Sequence, residues 1–280
     1  DHAHQQHQPE KDDGIAQKSR DAGLKDADIG CEGGFHFQHT DPSLDFLDGV
    51  LDGALFPLLA ALEEGIIDIT SCRTCNGSLQ ISDQSFGCLA NHGTINVTTG
   101  LQKSCNIFFF EMGRELGIDK MNKYCSLLGL GQKTGIELPE AEGMLASIAN
   151  KEARGQTWLP GDTIQAAIGQ SDNIFTPLQL ANYAATLGNG GTRYKPYIIK
   201  SVLSSDMTEV IYETEPTVLN TLNVKQENLD IVNKGMREVV SLGACRKYFA
   251  NCPVDAAGKT GTSQLKRTTK SGKVMDCNNG

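Results

Sequence analysis

Residues 96–116 read NVTTGLQKSCNIFFFEMGREL, and this stretch says more about the fold than any other. Its pattern predicts two short helices with Ser104-Cys105-Asn106 between them. A Ser-x-Asn tripeptide at such a junction can place a hydroxyl and an amide side by side, one to relay a proton and one to hold a substrate carbonyl. Alone the tripeptide is a weak signal, so its meaning depends on the rest of the chain.

Helical signals continue downstream. Thr176 and Pro177 predict a helix start, as N-cap and first helical residue. The apolar stripe expected on that helix runs up to Gly188 and consists of Leu178, Ala181, Ala184 and Leu187. Residues 226–240 carry apolar side chains at the spacing of one buried helix face, at Leu229, Val232, Met236, Val239 and Val240.

Strand signals follow the helical middle of the chain. Residues 197–203 and 209–212 are rich in β-branched side chains and predict two strands joined through residues 204–206. The coarse prediction is therefore an α+β fold whose strands gather toward the C-terminus.

Composition limits the function. The chain has 280 residues, with 39% hydrophobic and 21% charged side chains, which is the balance of a globular core. Of the net charge of −9, residues 1–53 hold 12 acidic against 4 basic side chains, so the body is nearly neutral. This argues against nucleic-acid binding, which needs a basic face. We expect residues 1–53 to be an acidic, His-rich leader, disordered or unrelated, and residues 54–280 to be the folded domain.

The longest apolar run is short. It covers residues 54–62, about half of what a bilayer span needs. Any attachment to a membrane is therefore expected to use an anchor that this chain lacks.

A second motif lies near the C-terminus, where residues 255–264 read DAAGKTGTSQ. Lys259 beside Thr260 and Gly261 on a strand would offer a fixed positive charge, hydroxyls and a bare backbone edge. These groups suit a ligand carboxylate that pairs with the strand.

The combination of Ser-x-Asn with a distant Lys-Thr-Gly-Thr resembles the transpeptidase domain of class B penicillin-binding proteins. The sequence between them is similar as well, in LGLGQKTGIELPEAEG at 128–143, PGDTIQAAIGQSDNIFTPLQLANYAATLGNGG at 160–191 and GMREVV at 235–240. The resemblance begins near Phe56. It implies a β-lactamase/transpeptidase-like fold, with an antiparallel sheet flanked by helices plus a mostly helical subdomain. Against that pattern, the last C-terminal strands are expected to be missing.

The resemblance also implies an activity, D,D-transpeptidation at the D-Ala-D-Ala ends of peptidoglycan stem peptides, with β-lactams as ligands. By likeness, Ser104 would relay protons and Asn106 would hold the substrate amide. Lys259, Thr260 and Thr262 would bind the terminal carboxylate, and Gly261 would let the substrate backbone approach. These roles require residues 104–106 and 259–261 to line one crevice.

Each tripeptide pattern occurs a second time in the chain, and we call the second copy a decoy. Lys133-Thr134-Gly135 is a second Lys-Thr-Gly, and Ser171-Asp172-Asn173 is a second Ser-x-Asn. The residues that flank Lys259 match the family's strand, whereas Gly131-Gln132 before Lys133 indicates a turn. We therefore interpret both decoys as structural.

The nucleophile motif of the family, Ser-x-x-Lys on one helix face, has no counterpart where it is expected. Ala54 stands at the serine position and Pro57 at the lysine position, and neither can perform that chemistry. The helix that follows is also short by about three residues relative to the family pattern. The literal Ser263-Gln264-Leu265-Lys266 would place its two side chains on opposite faces of a strand, so we interpret it as chance.

Three explanations fit the missing serine. The sequence before Phe56 is foreign to the family, as after a reading-frame error or in a partial gene; this is the favoured interpretation. Alternatively the chain is a pseudoenzyme that keeps the cleft without the chemistry, or another serine such as Ser43 substitutes.

Four residues have the spacing of a metal site. Cys75, Cys88, His92 and Cys105 form C-x12-C-x3-H-x12-C, a Cys3His set suited to structural zinc. Some elongation-type relatives resemble this in carrying a metal here, with acidic residues where Cys75 and Cys88 stand. The alternatives are a Cys75–Cys88 disulfide with Cys105 as a buried thiol, or free thiols throughout.

The resemblance implies work at the extracytoplasmic face of the bacterial cytoplasmic membrane, with elongation or division machinery as partners. Two rival functions stay open: a noncatalytic module that binds cell-wall peptide or a partner protein, and a β-lactam sensor or β-lactamase.

Overall fold

The computed structural model describes residues 53–261 and the backbone of two later strands, Gln264–Thr268 and Val274–Asn278. The described part is an α+β fold, as predicted, but its strands do not all gather toward the C-terminus, because four of them lie between Cys72 and Asn96, ahead of most of the helices. Its helices are α1 Leu55–Glu63, α2 Val97–Gln102, α3 Asn106–Leu116, α4 Ile118–Leu127, α5 Ile148–Glu152, α6 Pro160–Ala166, α7 Pro177–Gly188, α8 Gln226–Ser241 and α9 Arg246–Phe249.

The strands pair two by two, always antiparallel. They are β1 Cys72–Cys75, β2 Ser78–Ile81, β3 Gln84–Gly87, β4 Gly93–Asn96, β5 Thr192–Tyr194, β6 Ser201–Leu203, β7 Val210–Glu213, β8 Val218–Thr221, β9 Gln264–Thr268 and β10 Val274–Asn278. Within the described residues the pairs are β1 with β4, β2 with β3, β5 with β8, β6 with β7 and β9 with β10.

Helix α1 lies inside the protein. Every residue from Leu55 to Leu62 is buried, as expected of a helix that is apolar on all sides. Its neighbour α3 contributes Ile107, Phe108, Phe109, Phe110 and Met112 to the same core.

Glycines bring α2, α3, α6 and α8 close together. A Cβ on Gly113 of α3 would lie 2.2 Å from the Cβ of Ala167, just after α6. A Cβ on Gly235 of α8 would lie 2.5 Å from a methyl carbon of Leu101 on α2. Contacts this short exclude any side chain, so α8 packs directly on the helix that leads into Ser104.

Helix α7 begins as predicted but buries a different face. Thr176 Oγ1 accepts a hydrogen bond from Gln179 N at 3.2 Å, and Pro177 is the first helical residue. The buried residues are Gln179, Tyr183, Thr186 and Leu187, whereas Ala181 is exposed and Leu178 and Ala184 are only half-buried. The predicted stripe is therefore wrong except at Leu187. The physical reason is Gln179, whose amide donates to the carbonyls of Gln132 and Glu142 at 2.7 and 2.9 Å.

The predicted hairpin is confirmed as β6 and β7, but β6 begins only at Ser201. Upstream of it the backbone bonds to side chains: Ile198 N donates to Glu137 Oε2 at 3.2 Å, and Thr214 Oγ1 donates to Ile199 O. The strand predicted at Lys259 also begins later, because β9 starts at Gln264. Among the described residues, no helix combines the length and apolarity needed to cross a bilayer.

Candidate functional site

The two distant tripeptides meet. Lys259 Nζ donates a hydrogen bond to Ser104 Oγ at 3.0 Å, although the residues are 155 positions apart. Ser104 Oγ also lies 3.0 Å from Thr260 Oγ1, and either hydroxyl can donate. The predicted convergence is thus confirmed for these three side chains.

Ser104 reaches this place through an unusual backbone. Its φ is +50°, in the left-handed region that non-glycine residues seldom adopt. Cys105 N donates to Gly100 O at 2.9 Å and Ser104 N donates to Leu101 O at 3.1 Å, which closes the end of α2. The chain therefore turns sharply between α2 and α3, with the Ser104 side chain directed at Lys259.

Lys259 is buried, with only 6% of its surface exposed. Buried lysines are rare unless their ammonium group is paired. Here Nζ donates to Ser104 Oγ and, at 2.7 Å, to Thr260 O. The ammonium group thus bonds to a hydroxyl and to a backbone carbonyl. A cation at this place can attract a carboxylate and polarise Ser104.

Asn106 joins the site to strand β3. It is the first residue of α3, and its Nδ2 donates to Gly87 O at 3.1 Å. Gly261 is half-buried beside Thr260. Thr262 lies outside the described residues, so its expected role stays a prediction.

The expected nucleophile position is enclosed. Ala54 has 0% exposed surface and Pro57 is buried inside α1. On the N-terminal side, Gly53 packs against Gly169, where an added Cβ would lie 2.4 Å from Gly169 Cα. No residue from Gly53 to Glu63 carries a hydroxyl, thiol or amine. Ser43 and Ser263 lie outside the described residues.

The decoys have structural partners. Thr134 N and Oγ1 donate to Glu140 Oε2 at 2.9 and 2.6 Å, and Gly135 N donates to Glu140 Oε1 at 2.8 Å. Asn173 Oδ1 accepts from Ala146 N at 2.9 Å, and Asp172 pairs with Arg154 at 2.6 Å. The sequence did not indicate Glu140 as the partner of this turn, because a carboxylate five residues after a glycine is not a recognisable motif.

The Cys/His residues form one cluster. The ligand atoms of Cys75, Cys88, His92 and Cys105 all lie within 4.8 Å of one another. His92 Nδ1 is 3.6 Å from Cys75 Sγ and 3.5 Å from Cys88 Sγ, and Cys88 Sγ is 3.9 Å from Cys105 Sγ. A tetrahedral ion with Zn–S bonds of about 2.3 Å and Zn–N bonds of about 2.0 Å separates two sulfurs by about 3.8 Å, and sulfur from nitrogen by about 3.5 Å. The donor set and these three distances therefore fit zinc.

The Cys/His cluster connects two parts of the candidate site. Cys88 follows Gly87, the partner of Asn106, while Cys105 lies between Ser104 and Asn106. Hydrogen bonding with Cys105 lowers the pKa of the Cys88 thiol to about 4. The same contact with Cys88, followed by burial, raises the pKa of Cys105.

Comparison with known proteins now identifies the family. The sequence model of one protein family, the penicillin-binding protein transpeptidase domain, matches residues 55–278, which is most of the chain. The chain belongs to this family.

Individual relatives of the transpeptidase family support the same conclusion. The peptidoglycan D,D-transpeptidase MrdA of Acinetobacter baumannii is 33% identical over 215 residues, covering 74% of this chain and 31% of that protein. In structure, the chain is similar to Pseudomonas aeruginosa PBP2 in complex with WCK 5153, with a TM-score of 0.67 and 28% identity, covering 78% of this chain and 50% of that one. It is also similar to PBP2 in a complex with MreC from Helicobacter pylori, with a TM-score of 0.67 and 25% identity, covering 78% and 40%.

The chain spans less than a third of the length of the curated transpeptidase relatives that it matches first, between 26% and 31%. Membership and fold thus apply to this chain, while the activity of the longer proteins is transferred to it only as a proposal.

Proposed function

We propose that this chain recognises the D-Ala-D-Ala end of peptidoglycan stem peptides, and β-lactams that mimic it, as a transpeptidase-type domain of cell-wall cross-linking. The observation that carries the proposal is the 3.0 Å contact between Lys259 Nζ and Ser104 Oγ. It unites a buried cation with a hydroxyl at the two positions that the family uses.

Each residue then has a separate task. Lys259 attracts the terminal carboxylate, and the hydroxyl of Thr260 offers it a further hydrogen bond. Ser104 places beside Lys259 a hydroxyl that both accepts and donates hydrogen bonds, and the proton relay that the resemblance implies would operate only where acyl transfer takes place. Asn106 holds the substrate amide, and Gly261 leaves room for the substrate backbone beside the chain.

We further propose that the chain as it stands does not form an acyl-enzyme. Acyl transfer through an ester needs a side-chain oxygen with a base beside it. Ala54 and Pro57 supply neither, and Ala54 has no exposed surface. This observation favours the second candidate function, a noncatalytic module that binds cell-wall peptide or a partner.

One experiment tests both parts. The 280-residue chain is incubated with fluorescent penicillin and with a stem pentapeptide that ends in D-Ala-D-Ala. We expect no covalent label and reversible binding of the peptide. Lys259→Gln should weaken peptide binding about tenfold, as expected for loss of one charged hydrogen-bond donor.

The second Lys-Thr-Gly supplies the matched control, because Lys133→Gln removes the same charge from an exposed turn. Equal weakening by both variants would refute the assignment of the carboxylate site to Lys259. A covalent adduct would refute the claim of inactivity, and peptide mass mapping would show whether Ser43, Ser104 or another residue carries it.

We propose structural zinc at the Cys3His cluster. Cys75, Cys88, His92 and Cys105 would hold the ion, which would supply cross-linking of the fold and no catalytic step. The convergence of all four donor atoms within 4.8 Å supports zinc over a single Cys75–Cys88 disulfide, which would not require His92 to lie beside the cysteines.

Elemental analysis tests the zinc. One zinc per chain is expected, with loss in Cys88→Ser and retention in Cys72→Ser, an exposed cysteine on the same strand as Cys75. A freshly purified, zinc-free chain with a Cys75–Cys88 bond in its mass spectrum would establish the disulfide instead.

Location and partners follow the relatives. We propose that the domain works at the extracytoplasmic face of the cytoplasmic membrane, with a protein of the elongation machinery, because it is similar to the PBP2 whose complex with MreC is known. Pull-down of purified MreC by this chain tests that partner, and no retention at micromolar concentration would exclude it.

A further inference from the structure

Lys259 depends on a segment that has no regular secondary structure. Residues 255–259 belong to neither a helix nor a strand. A chain without ladder hydrogen bonds needs other contacts to hold one side chain within 3.0 Å of its target. Among the described residues, one face of helix α8 provides contacts of this kind.

Three residues of α8 hold this segment. Met236 O accepts a hydrogen bond from Gly258 N at 3.2 Å. Arg237 Nη1 donates to Ala256 O at 3.1 Å, and Arg237 Nη2 also pairs with Asp255. A Cβ on Gly258 would lie 3.7 Å from a methyl group of Val240, so the backbone rests against the helix.

The same helix supports Ser104 from the other side. Gly235 packs on Leu101, and an added Cβ on Gly243 would lie 2.9 Å from Gln102 O, so α8 and the segment after it lie against α2. Helix α2 ends at the turn that carries Ser104. Thus α8 contacts both the segment that carries Lys259 and helix α2, which leads into Ser104.

We propose that Arg237 is a positioning residue for Lys259: its guanidinium fixes the backbone of residues 255–256 on α8 so that the ammonium group reaches Ser104. This deepens the proposed function and rests on it for the meaning of Lys259. The described hydrogen bonds and ion pairs of Arg237 join it to Ala256 and Asp255, and none of them joins it to Lys259.

The bond to the Ala256 carbonyl matters more than the ion pair. The side chains of Arg237 and Asp255 are 43% and 90% exposed, and an ion pair in solvent contributes little. The bond to Ala256 O is partly buried and joins a charged donor to the main chain, which is a stronger class of hydrogen bond. Loss of Arg237 should therefore free the segment, whereas loss of the Asp255 charge should not.

Hydrogen exchange of the Gly258 amide, followed by NMR in the full chain, tests the proposal without any ligand. In Arg237→Ala we expect exchange about tenfold faster, as loss of one charge-assisted bond implies, and partial protection in Arg237→Lys. Asp255→Asn should change it less than twofold. Arg246→Ala is the control, because Arg246 is exposed on the neighbouring helix α9.

A second measurement connects the exchange to binding. Arg237→Ala should weaken the D-Ala-D-Ala pentapeptide several-fold, with Arg237→Lys recovering part of the loss and Arg246→Ala without effect. Unchanged Gly258 exchange in Arg237→Ala would overturn the proposal. Absence of peptide binding by the unmodified chain would instead overturn the proposed function, since the exchange result does not depend on the peptide.

Discussion

Each signature tripeptide occurs twice in this chain, and the two copies lie in different surroundings. Lys259-Thr260-Gly261 contacts Ser104 from a distance of 155 residues, whereas Thr134 and Gly135 bond to Glu140, only six and five residues away. The first copy joins separate parts of the fold, and the second closes a local turn.

The two Ser-x-Asn copies differ in the same way. Cys105, the middle residue of the first, is completely buried in the Cys/His cluster. Asp172, the middle residue of the second, pairs with Arg154 near the surface. The comparison teaches that a three-residue pattern acquires its chemistry from what packs against it, so substitutions at matching positions of the two copies should have different effects.

Substitution of the middle residues of the two Ser-x-Asn copies should have the largest effect on stability. Cys105→Ser removes one of four converging donors and buries a hydroxyl in place of a thiol, so we expect a loss of more than about 3 kcal/mol in the free energy of unfolding. Asp172→Asn removes an ion pair that is partly exposed, and should cost about 1 kcal/mol or less. Urea unfolding of both variants provides the measurement, and equal losses would contradict a structural role of the cluster.

The threonines of the two Lys-Thr-Gly copies should give opposite results. Thr134→Val removes a 2.6 Å hydrogen bond to the Glu140 carboxylate from a side chain that is 3% exposed, and should cost about 1.5 to 3 kcal/mol of stability with unchanged peptide binding. Thr260→Val should weaken binding of the D-Ala-D-Ala peptide several-fold, with less than about 1 kcal/mol of destabilisation. Chemical denaturation and calorimetric titration would separate the two effects. Loss of peptide binding in Thr134→Val would show that the second copy is functional.

Low pH should destabilise the turn in which Thr134 and Gly135 donate hydrogen bonds to Glu140. Burial alone would raise the pKa of the Glu140 carboxyl, but hydrogen bonds from Thr134, Gly135 and Ile136 together hold it below its ordinary 4.5. The folded state therefore binds fewer protons than the unfolded state just below pH 4.5, and stability declines as the pH falls from there through the folded value. Glu140→Gln should make the free energy of unfolding less dependent on pH in this range. Unfolding measured between pH 6 and about 2.5 checks it, with Lys133→Gln expected to keep the parental slope.

The sequence predicted what depends on local pattern. The five apolar positions of α8 are all buried, and Thr176-Pro177 begins α7. The cysteine and histidine spacing predicted a cluster that the structure brings together. In each case, periodicity or ligand chemistry within a few dozen residues carries the information.

Contacts between distant backbone groups could not be predicted. Gln179 is buried because it satisfies carbonyls 47 and 37 residues away, and no periodicity marks a polar residue for that purpose. The hold of Arg237 on Ala256 and the left-handed backbone of Ser104 likewise depend on tertiary packing. The convergence of residues 104 and 259 was predictable only through resemblance to a family.

The first residues of the two Ser-x-Asn copies should show the smallest effect. Ser104 and Ser171 both have a left-handed backbone, with φ of +50° and +66°, which costs a serine about 1 kcal/mol that glycine avoids. Ser171→Gly should therefore stabilise the chain by up to about 1 kcal/mol, reduced by the greater backbone entropy of glycine when unfolded. Ser104→Gly relieves the same strain but loses the hydroxyl that bonds to Lys259 and Thr260, so no net gain is expected and peptide binding should fall. Paired urea curves decide the matter, because equal gains at both positions would mean that the Ser104 hydroxyl contributes nothing to the fold.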